Sequence, residues 1–294
     1  MKPAKMRQFI RYHGFTKFIL AAIDTGLYLI NGFLKNGLYR WTKDNFGLKE
    51  ALFWSRDIAF YLRYSKILGE LKNTILNSDR KIRILEVGPG GEGISRFLRY
   101  SGDYKKCDIQ LADPDANALR NIKLGNPVVA SGYNLPFENS TFDAVISVDT
   151  LEHIPKDKRG RFLEELKRVS KVLVLLHFVM HDPDRQFLGK VADLRFQEWH
   201  LKHFKKEHSW TTEHLTIEPP TCDEINKALP GSIIAGTQNI ESWFEYTTLS
   251  MKPIIGFAAG FLYILKWKHK DNSPPFHGCF VKWIQAAQPG GDKI

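Results

Sequence analysis

The sequence is poor in the residues that build small secreted, zinc-bound or membrane-spanning proteins. Its 294 residues hold only three cysteines, Cys107, Cys222 and Cys279. They are odd in number, far apart and in no C-x-x-C spacing, so neither a disulfide framework nor a cysteine zinc site is indicated, and a reducing compartment follows. No apolar run reaches the ~20 residues that a spanning helix needs. FILAAIDTGLYLI (18–30) is interrupted by Asp24, and PIIGFAAGFLYIL (253–265) is closed by Lys266. A basic start followed by an apolar stretch has the outline of a secretory leader. Asp24 lies inside the apolar part, however, and no clear A-x-A cleavage site follows, which argues against export. Repeats and low-complexity tracts are also lacking, and 43% hydrophobic with 25% charged residues excludes a disordered chain.

What is there is first an uneven charge. The net charge is +10, and residues 1–83 carry all of the excess, with 16 Lys and Arg against 6 Asp and Glu. Nucleic acid, an anionic membrane surface or a solvated face would each suit such a segment. It contains no recognisable RNA- or DNA-binding module and its aromatics lie in apolar helical patterns, so a nucleic-acid partner is not expected. Lys17, Asp24, Asn31 and Lys35 fall on one narrow polar stripe, with Ile19, Ile23, Leu27, Ile30 and Leu34 around the rest of the helical wheel. Residues 1–80 are therefore read as a helical extension that caps the protein or meets a membrane surface.

From residue 81 short apolar runs alternate with helical segments: KIRILEVG, ISRFLRYSG, CDIQLAD, ANALRNIKLG, NPVVAS, AVISV, KDKRGRFLEELKRVSK and VLVLLHF. That alternation predicts a doubly wound α/β fold around a parallel sheet, with ligands bound beyond the carboxyl ends of the strands. SIIAGTQN (232–239) and GCFVKWIQ (278–285) read as two later strands, with a helical stretch at about 241–270 between them. A double proline followed by Thr221 and Asp223 marks the start of another helix.

The chemistry concentrates at the strand ends. Gly88, Gly90 and Gly93 form G-x-G-x-x-G between a strand and a helix, where absent side chains let backbone approach a ligand. Alone, this fits a dinucleotide as well as an adenosine joined to an amino acid. Glu86, two residues ahead, would repel a pyrophosphate but could hold an ammonium group, and Asp113 closes the next strand in LADPD, where a carboxylate can accept both ribose hydroxyls. A ribose and a cation without phosphate describe S-adenosylmethionine.

In E-V-G-P-G-G-E-G, L-A-D-P-D, L-P-F-E-N-S-T-F-D-A-V and L-E-H-I-P the chain resembles the class I S-adenosylmethionine-dependent methyltransferases of the type 11, small-molecule branch, over about residues 81–180. The resemblance implies a seven-stranded Rossmann-like sheet whose last two strands form an antiparallel edge hairpin, a methyltransferase domain over 81–294, and 241–270 as an insertion able to cover the acceptor. It also implies that Glu86, Gly88 and Gly90 cradle the methionine part, that Asp113 holds the ribose and that Pro114 flanks the adenine. The family usually has an acidic residue near the adenine amino group; here Ser131 stands there, and Gly132 offers a backbone N–H.

Asp149, Glu152 and His153, in SVDTLEHIP, fall at the end of the fourth strand, where the family places the reactive methyl. They are the candidate catalytic residues, His153 as base for an acceptor hydroxyl. A structural role for the Glu-His pair at a helix start is the plainer reading. Ubiquinone-pathway O-methyltransferases are similar here, and D-x-x-E-H would suit a hard divalent ion; this is the less favoured reading, and no metal ligand is assigned. His200, His203, His208 and His214 have spacings of 3, 5 and 6, without the i, i+4 pair of helical metal sites, and are expected to be solvated or substrate-facing. The expected activity is methyl transfer to a small or lipid-like acceptor, most of all at oxygen, by a cytoplasmic protein that can touch the inner face of a membrane. An RNA or protein methyltransferase, or a non-catalytic cofactor-binding subunit, are the alternatives.

Overall fold

The structure is a computed structural model and describes residues 57–76, 80–90, 93–120, 122 and 124–285. The N-terminal stripe of Lys17, Asp24, Asn31 and Lys35 lies outside them. The first described helix, α1 (Ile58–Thr74), buries Tyr64, Ile67, Leu68 and Leu71, an i, i+3, i+4, i+7 pattern. Next come β1 (Ile82–Val87), α2 (Gly93–Ser101), β2 (Cys107–Asp113), α3 (Ala116–Arg120), β3 (Asn126–Val129), β4 (Phe142–Val148), α4 (Lys156–Val169) and β5 (Ser170–Val179). These five strands are parallel and ordered β3-β2-β1-β4-β5. All seven residues of β4 are buried, as expected for a central strand covered on both faces. Helix α4 shows the complementary pattern, with Phe162, Leu163, Leu166 and Val169 turned inward and most of its charged side chains outward.

Beyond β5 the sheet gains the two-residue strands β6 (His181–Asp182) and β7 (Phe187–Leu188), followed by α5 (Gly189–Phe204), α6 (Ser209–Thr216) and α7 (Cys222–Ala228). Helix α7 begins where Thr221 and Asp223 mark a helix start, and it opens with a capping box: Thr221 Oγ1 accepts from the Glu224 amide while the Glu224 carboxylate accepts from the Thr221 amide. Then come β8 (Ile233–Asn239), α8 (Ile240–Ser250), α9 (Ala259–Leu262) and β9 (Phe276–Ile284). Strand β9 pairs antiparallel with both β5 and β8, so the edge hairpin expected from the sequence is present, and β6 and β7 add to the seven expected strands.

Of the described residues, 62–244 and 269–285 make a larger compact unit, and 57–61 with 245–268 belong to a smaller one. The larger unit thus starts ahead of residue 81 and takes in most of α1. Within the smaller unit Glu245 accepts from Lys266 Nζ and Trp267 Nε1, both at 2.6 Å, and the Tyr246 ring meets Tyr263 edge-on. Among the described residues no helix is long and apolar enough to cross a membrane.

Candidate active site

Parallel pairing brings the carboxyl ends of β1, β2, β4 and β5 to one edge of the sheet, with Val87 beside Ala112 and Val148 beside His177. The glycine turn leaves β1 here, and Gly88, Gly90 and Gly93 all have positive φ, at 75°, 56° and 61°. The three have different reasons to be glycine. A Cβ on Gly88 would lie 2.4 Å from Thr150 Oγ1, so the turn is seated on the end of β4; a Cβ on Gly93 would lie 2.8 Å from the Glu86 carboxylate. Among the described residues nothing lies within 4 Å of the missing Cβ of Gly90.

Glu86 is completely buried behind this turn. Its Oε1 accepts from the Tyr64 hydroxyl at 2.8 Å and its Oε2 from the Ile94 amide at 2.5 Å. Burial pushes its pKa up to about 7, against the Ile94 amide and the Tyr64 hydroxyl, which favour the ionised form. Tyr64, stacked on Phe97 with ring centroids 4.5 Å apart, is thus the orienting partner of Glu86, and no local motif announces it. Asp113 is 7% exposed; its Oδ2 accepts from the Gly90 amide at 3.2 Å and its Oδ1 from the Asp115 amide at 2.8 Å. The carboxylate therefore ties the β2 end to the glycine turn.

Pro114 is exposed beside it. Ser131 Oγ accepts from the Tyr133 amide at 3.4 Å. A Cβ on Gly132 would sit 2.5 Å from the Phe162 ring, so close packing on α4 already requires a glycine there.

At the end of β4, Asp149 takes φ +50° and its amide donates to the His177 carbonyl at 2.7 Å. Its Oδ2 pairs with Arg63 of α1, and its Oδ1 lies 3.7 Å from His177 Nδ1. Burial opposes the charge, but Arg63 and His177 outweigh it and hold the Asp149 carboxyl well below the usual carboxylate range. Asp149 is therefore engaged by Arg63 and His177.

Glu152 is 1% exposed and its Oε1 accepts from the Val179 amide at 3.1 Å. Its pKa is raised by burial first and by Asp149 second. His153 sits one residue on, and the partner the structure gives it comes from the histidine-rich segment. Its Nε2 lies 3.2 Å from His214 Nε2, while His214 Nδ1 lies 2.9 Å from Asp193 Oδ2. Burial works against a charge on His214, but Asp193 outweighs it and raises its pKa.

Asp193 Oδ1 in turn lies 3.0 Å from His277 Nε2, and the His277 ring stacks on Trp243 with centroids 3.8 Å apart. A hydrogen-bonded line of His153, His214, Asp193 and His277 thus runs inward from the strand end. His214, expected to be solvated or substrate-facing, is largely covered and belongs to this line. His200 is buried with its Nδ1 on the Lys206 carbonyl, whereas His203 remains on the surface.

Residues 85–184 match the family model described as a methyltransferase domain, of type 11, over about a third of the chain. Solved structures are similar to the chain at low identity. A magnesium protoporphyrin IX methyltransferase from Synechocystis with bound S-adenosylhomocysteine is 10% identical at TM-score 0.48, covering 88% of this chain and 99% of that one. A phosphoethanolamine N-methyltransferase from Haemonchus contortus is 14% identical at TM-score 0.47, over 76% and 53% of the two chains. An S-adenosylmethionine-dependent methyltransferase from Archaeoglobus fulgidus is 13% identical at TM-score 0.46, over 76% and 94%.

Proposed function

We propose that this chain, a class I S-adenosylmethionine-dependent methyltransferase of the type 11 branch, methylates an oxygen of a small or lipid-like acceptor held at the end of β4. Its residues suit the cofactor. The room at Gly90 and the Asp113 carboxylate beside it provide space for a ligand and an acceptor for ribose hydroxyls, while Glu86, buried behind the turn, holds the Ile94 amide at the start of α2. Pro114, Ser131 and the Gly132 amide would line the adenine end. S-adenosylmethionine supplies a methyl group on a sulfonium whose departure needs no acid.

What remains for the protein is to align the acceptor and to remove its proton. The observation that carries oxygen as the methylated atom is the grouping of Glu152, His153 and His214 just after β4. A carboxylate with two imidazoles is equipped to take or displace a hydroxyl proton, which an amine already carrying a free lone pair does not need. Support for a lipid-like acceptor comes from the smaller unit, where Ile255, Phe261 and Leu265 are 54%, 43% and 62% exposed among Lys252, Lys266 and Lys268. In this reading the enzyme works in the cytoplasm, at the face of a membrane.

Incubation of the protein with methyl-labelled cofactor and fractionated cell extract tests the reading. Label is expected in the lipid or small-molecule fraction, in a product stable as an ether or ester. Label in RNA or protein would replace the acceptor class, and cofactor binding without turnover in any fraction would leave a non-catalytic subunit.

A further inference from the structure

We propose that Glu152, His153 and His214 form a binding site for one divalent transition-metal ion, zinc by preference, at the acceptor end of the site. The idea rests on the reading of this strand end as the acceptor site and deepens it, since a metal ion would polarise the acceptor oxygen.

The geometry points there first. One donor atom from each of the three residues lies within 4.8 Å of the others, and the two imidazole Nε2 atoms are 3.2 Å apart. Two nitrogens each ~2.1 Å from a common ion are separated by about 3.0 Å at a right angle and about 3.4 Å at the tetrahedral angle. The observed separation falls between them.

The surroundings orient the His214 ring as metal ligands are oriented. His153 Nδ1 lies at an ion-pair distance of 3.1 Å from Glu213 Oε2 without hydrogen-bond geometry, while His214 Nδ1 is hydrogen-bonded to Asp193 Oδ2 at 2.9 Å. A neutral ring so placed carries its proton on Nδ1 and turns the Nε2 lone pair outward, the arrangement by which carboxylates fix metal-bound histidines. The two Nε2 atoms face each other at 3.2 Å, where either a shared proton or a cation must lie between them. Asp193 is itself held by His277 at 3.0 Å, so this outer carboxylate is fixed as well.

Glu152 gives an independent sign. It is 1% exposed, one oxygen accepts from the Val179 amide, and among the described residues Oε2 has no hydrogen-bond partner. A buried carboxylate oxygen without a partner is costly, and a bound cation removes that cost. Asp149, the further carboxylate of the D-x-x-E-H pattern, is engaged instead by Arg63. The donor set is therefore two imidazoles and one carboxylate, which suits zinc and its neighbours better than magnesium or calcium and leaves a position open for an acceptor oxygen. An acceptor hydroxyl on the ion gives up its proton to solvent more readily. Its lone pair then forms the oxygen–carbon bond as the carbon–sulfur pair returns to sulfur, leaving the methylated acceptor and the thioether S-adenosylhomocysteine.

The test uses the full chain after dialysis against a chelator, with neither acceptor nor methyl donor present. Calorimetric titration with Zn²⁺, and with Co²⁺ followed by its visible absorption, is expected to show one equivalent bound. His214→Ala and the more exposed His153→Ala should each lose at least about tenfold in affinity, and Asp193→Asn, which alters only the outer shell, about 10–100-fold. His203→Ala, on the surface, should bind as the wild type does, and S-adenosylhomocysteine affinity serves as the check that each variant is folded.

Absence of one-equivalent binding by the wild type, or unchanged affinity in folded His214→Ala and His153→Ala, overturns the site. A proton shared between the two Nε2 atoms with no metal uptake does the same. Because the titration needs no turnover, a failed metal result would leave methyl transfer standing, and a failed search for methyl transfer would leave the metal result standing.

Discussion

At the scale of single residues, Glu86 is a carboxylate whose environment opposes its ionisation. Its folded pKa of about 7 stands above the ordinary carboxylate value of 4.5. The folded protein therefore holds the Glu86 proton over a window where the unfolded chain has released it, and stability falls as pH rises from about 4.5 through about 7. The difference corresponds to about 3 kcal/mol once both states are ionised. Glu86→Gln keeps the shape without the charge, so its stability advantage over wild type should grow across that window, read from urea unfolding of the cofactor-free protein at pH 5 and pH 8. Parallel stability curves for the two proteins would mean that Glu86 is not the group responsible. Asp113 is a residue of the opposite kind, partly committed to the Gly90 and Asp115 amides but with lone pairs left for a ligand. Asp113→Ala should weaken S-adenosylhomocysteine binding by about 1.5–3 kcal/mol, the worth of hydrogen bonds to a charged group. Calorimetry giving equal affinities would remove Asp113 from the cofactor site.

At the scale of elements, α1 matters more than its sequence suggests, because it sends Tyr64 to Glu86 at the end of β1 and Arg63 to Asp149 at the end of β4. Arg63 and Asp149 have side chains only 14% and 22% exposed, so removing one partner leaves a poorly solvated charge. Arg63→Met is expected to cost about 3 kcal/mol, the low end for a buried pair. Adding Asp149→Asn should recover most of that, since asparagine tolerates the positive φ at this position. A single-mutant loss below about 1 kcal/mol in denaturant unfolding would class the pair with ordinary surface ion pairs.

The same element marks the limit of what the chain discloses by itself. Strands such as IRILEV and FDAVISV announce themselves by continuous apolar character, and Glu86, the glycines and Asp113 are found because they follow directly on such runs. Tyr64 and Glu86 are separated by 22 residues, Arg63 and Asp149 by 86, His153 and His214 by 61. The spacing test applied to the histidines detects only partners on one helix, and it passes over a histidine whose partner arrives from another element. His177 did carry a local signal, as the one ionisable residue in the run VLVLLHF (172–178) that ends beside Asp149.

At the scale of the whole molecule, the charge distribution and the exposed apolar residues argue together for a membrane surface. All of the +10 excess belongs to residues 1–83, and the described smaller unit adds exposed Ile255, Phe261 and Leu265 among lysines. Single exposed apolar side chains are ordinary; three of them within 255–265 beside Lys266, Lys268 and Lys270 follow the pattern of interfacial docking, where buried hydrocarbon supplies affinity and each basic residue near an anionic surface adds about 1 kcal/mol. The two contributions respond to different perturbations. Salt screens the basic residues over about 8–10 Å at ionic strengths of 0.1–0.15 M and leaves the apolar part in place, whereas Ile255→Ser/Phe261→Ser/Leu265→Ser removes the apolar part and leaves the charge. The full-length protein is therefore expected to float with vesicles containing phosphatidylserine and not with phosphatidylcholine alone, less so as salt rises, and the triple variant to float less at every salt concentration. Deleting residues 1–40 should steepen neither dependence but lower the bound fraction throughout. No flotation at low salt would end the membrane reading and direct the search to a water-soluble acceptor, while equal flotation of the triple variant would remove the smaller unit from the contact and leave the basic N-terminal third as its whole basis.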